Sequence, residues 1–377
     1  MNVHIANPAL SMDAYLGQFA EPEGYLDFAR FGPVSAAVSE RMALSARMVH
    51  SEGGRGLATL EGLHVPSRAA AARLLAAEEH EVAFVGSTSH GLFAAAQALS
   101  RRSGVILVPR NDFPSNVYPW LRAAERGGLQ VRWMDGPVTP DSIRPLLDDT
   151  VKAVAVSAVD SFTGALAPLA AIKELIGSQR VLVVDAVQAF GAVEFDVDAA
   201  DVLASGGQKW LRAGWGAAAL LVRDRVADML EPGLGGWSGV QNPLNGEPHP
   251  HEPLRGAAAH TLTNPDPAAV AAYGVAAGLV LQVGLRQIHG RITETLAALL
   301  DAAAGQGAQL RYPRPGGGIG SFTMPGADPV ALNAALAQAG VTTTMRDGWH
   351  RLAPHASTDA QIADALAGVL ARHAHAA

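Results

Sequence analysis

The chain has 377 residues, of which 49% are hydrophobic and only 17% charged, whereas an average soluble domain has about 25% charged residues. This composition indicates a large buried core and a length sufficient for two or three domains. The net charge of −7 argues against a nucleic-acid partner, and the absence of cysteine excludes disulfides, zinc–thiolate sites and thiol nucleophiles.

The sequence has no pattern typical of export or membrane insertion. Its first ten residues, MNVHIANPAL, lack the basic head and apolar run of a signal peptide. The longest apolar stretch, residues 268–285, is interrupted by Gln282 and is short for a membrane span. We therefore expect a soluble, cytoplasmic protein with no membrane partner, and the lack of disulfides agrees with that compartment.

Short runs rich in Val and Ile alternate with Ala- and Leu-rich helical segments, such as residues 168–177. Strands that are apolar on both faces and joined by helices are typical of a parallel sheet covered on both sides. The pattern predicts an α/β fold with strands at residues 81–86, 105–109, 151–159, 181–186, 201–205 and 217–222.

The chain changes character after residue 230. Residues 230–265 are rich in Gly, Pro and Asn and predict loops, whereas residues 266–284 predict a long buried helix. The last helix is predicted from residue 358 onward, with a cap in the Ser-Thr-Asp stretch at 357–359. The domain prediction is an N-terminal arm (1–24), a large domain (25–285) and a small α+β domain (286–377).

Ligands of open parallel sheets bind beyond the carboxyl ends of the strands, so the residues that follow each strand are the first candidates for a binding site. After the first strand comes GSTSHG at 86–91, which leads into a helix. The hydroxyls of Thr88 and Ser89 and the free N–H groups of the helix start predict an anion site suited to phosphate. The alternative is an ordinary helix cap at Thr88 or Ser89.

Three more residues follow strand ends. Phe113 could stack on a flat ring or pack in the core. Asp185 ends an apolar strand, where a carboxylate is costly without a partner. It could cap a helix, bind a metal or pair with a cationic ring, and the lack of a His or second carboxylate at ligand spacing disfavours the metal. Lys209 follows Gly206, Gly207 and Gln208 in a small, apolar setting, which favours a lowered pKa and Schiff-base chemistry.

Taken together, these are the parts of a pyridoxal phosphate site. The cofactor requires a lysine for its Schiff base and an acidic partner for its pyridine nitrogen. At about 4 Å and an effective dielectric near 20, the contact between Asp185 and the pyridinium would contribute roughly 4 kcal/mol. That energy corresponds to about three pKa units, which keeps the ring protonated and electron-withdrawing.

The motifs resemble the class V aminotransferases of fold-type I pyridoxal phosphate enzymes, a family that includes cysteine desulfurases, kynureninases and isopenicillin N epimerases. The resemblance runs from about residue 25 to the C-terminus and rests on five motifs: YLDFARFGP (25–33), FVGSTSHGL (84–92), DFPSNVYPW (112–120), VDAVQAFG (184–191) and ASGGQKWL (204–211). It implies a mainly parallel seven-stranded sheet with flanking helices and a small C-terminal domain.

The resemblance also implies roles for individual residues. Phe113 would stack on the cofactor ring, Asp185 would pair with the pyridine nitrogen and Gln188 with the ring O3′, beside Gln208 and the Schiff-base Lys209. RLAPHAST (351–358) resembles the family's substrate-binding motif. The resemblance implies that Arg351 binds the α-carboxylate of the substrate. Asn264 lies where the family contacts the phosphate of a neighbouring subunit, which implies a homodimer with shared active sites.

The reaction is less determined than the cofactor. Transamination and β-elimination or C–S cleavage of an α-amino acid are favoured, with Lys209 as general base. The alternatives are an epimerase like isopenicillin N epimerase, a non-catalytic cofactor-binding protein and a dinucleotide dehydrogenase, although GGGIG (316–320) precedes a strand-like run instead of opening a helix.

The departures from the family concern the substrate side. Gln208 replaces a common histidine or tyrosine, and Ser161 replaces a common asparagine. A persulfide-forming cysteine desulfurase is expected to be excluded because the chain has no cysteine. Arg30, Trp237 and His350 are candidates for recognising the substrate side chain, with loop packing as the alternative for each.

Overall fold

The structure, a computed structural model, describes residues 9–101, 103–313 and 315–374. The helices are α1 (Met12–Leu16), α2 (Ala36–Glu52), α3 (Gly54–Glu61), α4 (His64–Leu74), α5 (Thr88–Ser100), α6 (Tyr118–Glu125), α7 (Pro140–Ile143), α8 (Leu169–Ile176), α9 (Asp224–Ala227), α10 (Pro267–Val283), α11 (Leu285–Gly305), α12 (Pro329–Gln338) and α13 (Ile362–Ala374). The strands are β1 (Val82–Val85), β2 (Gly104–Pro109), β3 (Leu129–Met134), β4 (Val151–Ser157), β5 (Val181–Asp185), β6 (Val202–Gly206), β7 (Ala218–Val222), β8 (Gln309–Leu310), β9 (Gly320–Thr323), β10 (Thr344–Arg346) and β11 (Trp349–Leu352).

The first seven strands form one sheet in the order β1-β7-β6-β5-β4-β2-β3. Strand β7 runs antiparallel to both of its neighbours, and the remaining pairs are parallel. The predicted α/β fold and its mainly parallel seven-stranded sheet are therefore confirmed. Strand β3 was not predicted, because Gln130 and Arg132 interrupt its apolar run, as is common at a sheet edge.

Two hydrophobic cores cover the two faces of this sheet. Leu182 and Val184 of β5 belong to one core, and Val181 and Val183 belong to the other, as the two-residue period of a strand requires. Helices α4, α8 and α10 supply the first core, while α5 and α6 supply the second. The sheet is thus buried on both sides, and only its edges and strand ends remain open to ligands.

Beyond α10 the chain forms a second, antiparallel sheet in the order β10-β11-β9-β8. Side chains of α11, α12 and α13 pack against it in a third core, which also contains Leu26. The bend of 83° between α10 and α11 falls at Gly284, near the predicted boundary. The division at residue 285 stays a prediction, and Leu26 shows that the start of the proposed large domain packs with the smaller core.

The predicted arm contains α1, which contacts α10, and the Leu10 amide donates to the Gln282 carbonyl at 3.2 Å. Its residues 1–8 lie outside the described part of the chain. Of the helices in the described ranges, none is by itself long and apolar enough to cross a membrane, and only the bent pair of α10 and α11 meets that test.

The predicted start of the last helix is wrong, since α13 begins at Ile362. The Ser357 hydroxyl is bonded to the Arg212 guanidinium, and the Thr358 hydroxyl accepts from the His355 amide. Ser357 is therefore used in a tertiary contact and Thr358 in a local turn, so neither hydroxyl caps the helix. Asp359 instead accepts a hydrogen bond from the Gln361 amide.

Candidate active site

The loops that follow β1, β2, β5 and β6 carry most of the predicted site residues. Because the parallel strands β2, β4, β5 and β6 end at one edge of the sheet, these loops meet there. The charge of Asp185 affects the pKa of Lys209, and Lys209 Nζ lies 5.3 Å from the centroid of the Phe113 ring. The structure therefore brings these three residues together.

Lys209 is buried, with 9% of its surface exposed. Burial lowers the pKa of its amine to about 8. The charges of Asp185 and Asp27 act in the opposite direction and raise this pKa, whereas the charge of Arg351 lowers it further. A β-carbon at Gly207 would lie 2.7 Å from that of Ala213, so the turn before the lysine leaves no room for a side chain. An amine that loses its proton near neutral pH is suited to nucleophilic attack on a carbonyl carbon.

Asp185 ends β5 and is 2% exposed. Its carboxylate accepts hydrogen bonds from the Val187 amide at 3.0 Å and the Ser115 hydroxyl at 2.9 Å. Burial is the largest influence and raises its pKa to about 6, with a further contribution from Asp112. The carboxylate is thus held in place yet short of a cationic partner of its own, which a protonated ring nitrogen would supply.

Asp112 positions the loop that carries Phe113 and was not identified from the sequence. Its carboxylate accepts from the Ser157 hydroxyl at 2.6 Å, the Asn116 amide at 2.8 Å and the Phe113 amide at 2.6 Å. Burial raises its pKa. Since Ser157 ends β4, Asp112 fastens the loop to the neighbouring strand. An Asp at the start of DFPSN, a pattern common in turns, was the available signal.

The turn between β1 and α5, residues 86–91, carries the residues of the predicted anion site, which we call the anion cup. Ser87 caps α5 by accepting from the His90 amide at 3.1 Å, so the alternative interpretation, a cap at Thr88 or Ser89, is wrong. Thr88 Oγ1 instead accepts from the Gly206 amide at 2.8 Å, and Ser89 is exposed in the first turn. The reason is that Thr88 faces inward toward β6, where a backbone donor needs an acceptor.

Two side chains converge on Gly206 beside the anion cup, and a third, His90 of the cup, offers a donor for a ligand. A β-carbon on Gly206 would lie 2.2 Å from Gln208 Oε1 and 3.1 Å from Thr88 Oγ1, so these side chains converge where a larger residue would not fit. His90 Nδ1 accepts from the Gly86 amide at 3.3 Å, so its proton is on Nε2. That Nε2 is buried and, among the described residues, has no partner. A phosphate group fits a cup built in this way.

Gln188 lies beneath the lysine loop. Its Nε2 donates to the Ala29 carbonyl at 3.0 Å, and its Oε1 accepts from the Trp210 indole at 2.8 Å. These bonds join the start of the chain to the residue that follows Lys209. The second N–H of the amide group is the one that a ring oxygen could use, so the expected contact with O3′ stays a prediction.

Arg351 lies on β11 and is 8% exposed. It donates to Asp27 Oδ1 at 3.0 Å and to the Ser161 carbonyl at 2.8 Å. Its Nε is buried and has no partner within the described ranges. The guanidinium therefore keeps a donor for a carboxylate, next to a buried counter-charge that the sequence did not reveal. The Thr344 hydroxyl also donates to Asp27, at 2.8 Å.

Three other candidates, His350, Trp237 and Asn264, have different surroundings. His350 points away from Arg351 because adjacent strand residues face opposite sides. It is fully buried and stacks on Phe322 at 5.3 Å, so its predicted contact with the substrate side chain is wrong. Trp237 bonds to Thr263 Oγ1 at 3.1 Å, and Asn264 is exposed in that same loop region.

A family model described as aminotransferase class-V matches residues 29–361. The chain is 29% identical over 315 residues to the uncharacterized aminotransferase YcbU of Bacillus subtilis, covering 81% of this chain and 82% of that protein. It is 29% identical over 300 residues to a kynureninase of Deinococcus radiodurans, covering 75% and 72%. The fold is similar to that of a cysteine desulfurase from Thermococcus onnurineus, with a TM-score of 0.81, 20% identity and coverage of 92% and 94%.

Fold and site together define a fold-type I pyridoxal phosphate enzyme, with pyridoxal phosphate as its cofactor. The chain belongs to the class V aminotransferase family. The predicted family and cofactor are confirmed. The expected exclusion of a cysteine desulfurase is not supported, because a probable cysteine desulfurase of Aeropyrum pernix is 30% identical to this chain over 304 residues.

Proposed function

We propose that this enzyme acts on a free α-amino acid, either by transamination or as a lyase, by β-elimination with C–S cleavage or by Cα–Cβ cleavage. The observation that carries the proposal is the buried Lys209 amine, whose pKa is about 8 and whose neighbours are Asp185, Arg351 and the Phe113 ring. A structural lysine needs no such combination of burial, opposed charges and an aromatic face.

Each residue has a distinct task in this proposal. Lys209 would hold the cofactor covalently and move the proton at the substrate Cα. Asp185 would keep a proton on the ring nitrogen, while Thr88, Ser89 and Gln208 would hold the phosphate. Bound in this way, the cofactor withdraws electrons from the substrate Cα.

Arg351 would fix the substrate by its α-carboxylate. Its two contacts with Asp27 and the Ser161 carbonyl limit the rotation of the guanidinium, and the buried Nε remains as a donor. A preorganised guanidinium loses little entropy on binding a carboxylate. The substrate Cα would then be held near Lys209, since the charge of Arg351 lowers the pKa of that amine.

The relatives support transamination by name and leave the lyase route open. The Bacillus relative is named an aminotransferase, and the Deinococcus relative, a kynureninase, is not an aminotransferase by name. A single-turnover experiment with one amino acid at a time and no keto acid separates the two types. Lasting conversion of the cofactor to its amine form identifies transamination. Recovery of the starting visible spectrum, with release of a keto acid and ammonia, a thiol or sulfide, identifies elimination.

The role of Lys209 is tested first. Borohydride reduction of the holoenzyme, followed by peptide mapping, is expected to give a stable cofactor adduct on Lys209 and none in Lys209→Ala. Lys173→Ala is the matched control, because Lys173 is paired with the buried Asp201 at 2.6 Å and should leave the adduct unchanged. An adduct on any other lysine would refute the assignment.

We also propose a cytoplasmic homodimer in which the partner subunit's Asn264 contacts the phosphate. The support is the exposed position of this residue in the loop before α10. Sedimentation of the holoenzyme tests the oligomeric state. Asn264→Ala is expected to weaken cofactor retention without changing the adduct on Lys209, and unchanged retention would contradict the shared site.

A further inference from the structure

The small sheet has one apolar face and one cationic face. The apolar face carries His350, Phe322 and Leu352, all fully buried. On the other face the register places Thr344 opposite Arg351 and Arg351 opposite Ser321. The Arg311 amide bonds to the Ser321 carbonyl and extends this row across the sheet. Three arginines share this face, because Arg346 lies two residues from Thr344 on β10.

This cationic face is directed at the active site. Arg351 donates to the Ser161 carbonyl, and the Ser321 hydroxyl donates to the Phe162 carbonyl. The Arg311 guanidinium lies 4.8 Å from the centroid of the Phe162 ring. Residues 161 and 162 follow β4 at the edge of the large sheet where Lys209 lies, so the cationic face forms one wall of that site.

A fourth arginine approaches from the start of the chain. The Arg30 amide bonds to the Asp27 carbonyl at 3.0 Å, which places Arg30 one turn from the buried partner of Arg351. The charges of both Arg346 and Arg30 lower the pKa of Arg351, behind the larger effect of burial. Both side chains are therefore within electrostatic range of the residue proposed to hold the substrate.

Two of these positive charges, on the exposed side chains of Arg30 and Arg346, are unpaired in the described part of the chain. Throughout residues 9–101, 103–313 and 315–374, neither Arg30 nor Arg346 forms an ion pair. Asp27 is engaged by Arg351 and Thr344, and Asp160 accepts from backbone amides of its own turn. Asp347 follows Arg346 on the exposed hairpin turn but is not paired with it.

We propose that Arg346 and Arg30 bind a second anionic group, carried by the substrate side chain. The enzyme would therefore act on amino acids with an acidic side chain, such as a carboxylate, sulfinate or phosphate. This inference rests on the proposed function, since it requires that Arg351 holds the α-carboxylate. Arg351 is occupied by Asp27 and, in the proposed function, by the α-carboxylate, so the unpaired arginines are the cations left for a second anion.

The first experiment measures binding without turnover. Isothermal titration of the holoenzyme with succinate and with butyrate compares a dicarboxylate with a monocarboxylate of equal length. Succinate is expected to bind about tenfold more tightly. Arg346→Gln and Arg30→Gln are expected to reduce that preference, and Arg286→Gln, an exposed arginine on α11, is the matched control that should retain it.

The second experiment measures kcat/KM with the pairs aspartate and asparagine, glutamate and glutamine, and with cysteine sulfinate and phosphoserine. The wild-type enzyme is expected to prefer substrates with acidic side chains. The substrate with the highest kcat/KM then identifies the anionic group as a carboxylate, a sulfinate or a phosphate. Arg346→Gln should reduce kcat/KM at least about fivefold more for the acidic member of a pair than for the neutral one.

Equal binding of succinate and butyrate, or an equal loss for both members of each pair, would overturn the inference. Failure of the proposed function has a different signature, since the Lys209 adduct would then be missing. A holoenzyme with the adduct but no preference for acidic substrates refutes this inference alone.

Discussion

The buried ion pair of Glu21 and Arg212 fastens the start of the chain to the lysine loop, and Glu21→Gln tests that role. The Arg212 and Glu21 side chains are 2% and 7% exposed. Both carboxylate oxygens of Glu21 accept from the Arg212 guanidinium, one of them at 3.0 Å, and the guanidinium lies 3.6 Å from the centroid of the Phe19 ring. The Arg212 amide in turn bonds to the Lys209 carbonyl.

The substitution keeps the shape of the side chain and removes its charge, which leaves the buried Arg212 charge unpaired. Breaking a buried pair in this way costs about 3 to 5 kcal/mol. Because the amide oxygen of glutamine and the Ser357 hydroxyl still accept from Arg212, we expect the lower end, about 3 kcal/mol of unfolding free energy.

The pH dependence follows from the pKa of Glu21. Burial alone would raise this pKa, but the hydrogen bonds and charge of Arg212 outweigh burial and lower it from 4.5. The stabilisation is therefore complete above pH 4.5 and is lost as the pH falls through the lower, folded-state pKa. The difference between wild type and variant should be constant between about pH 5.5 and 8.

Urea unfolding followed by circular dichroism measures the effect. Asp135→Asn is the control, because it breaks an exposed pair with Arg110, at 2.7 Å, and should change stability little. If Glu21→Gln is no more destabilising than the control, the pair does not fasten the arm and the reasoning fails.

Three further outcomes are expected. Asp185→Asn should stabilise the cofactor-free protein above pH 6 by up to about 3 kcal/mol. The reason is that burial raises the folded-state pKa of Asp185 from 3.8 to about 6, so any stability from this group is lost as the pH rises through that value. A variant that is less stable in urea unfolding would contradict this desolvation cost. Gly32→Ala should lower thermal stability and cofactor retention, since its β-carbon would lie 2.0 Å from the Lys209 carbonyl oxygen. The control is Gly278→Ala in α10, whose β-carbon meets nothing within 4 Å, so it should be neutral or stabilising. Equal melting temperatures of the two variants would count against the close contact at Gly32. Arg351→Ala should raise KM for a free amino acid roughly tenfold or more, and an unchanged KM would mean that the α-carboxylate is held elsewhere.

Much of the catalytic edge could be predicted because its signals are local. Apolar runs that end in a polar residue mark strand ends, and parallel strands end at one edge whatever the rest of the chain does. Asp185 after β5 and Lys209 after β6 are therefore visible in the sequence. So is the anion cup at the start of α5, although the hydroxyl that caps the helix, Ser87, is one residue earlier than predicted.

The tertiary structure decided the contacts between distant segments. Asp27 and Arg351 are separated by 324 positions, and Glu21 and Arg212 by 191. No local propensity specifies such partners, because they depend on the path of the chain between them. The face of the small sheet was also undetermined, since a one-residue change in strand register exchanges the two faces. The sequence by itself therefore determined the fold class and the cofactor and predicted the lysine proposed to carry it, while only the tertiary structure decided which buried charges lie around Lys209 and which arginines share a face with Arg351.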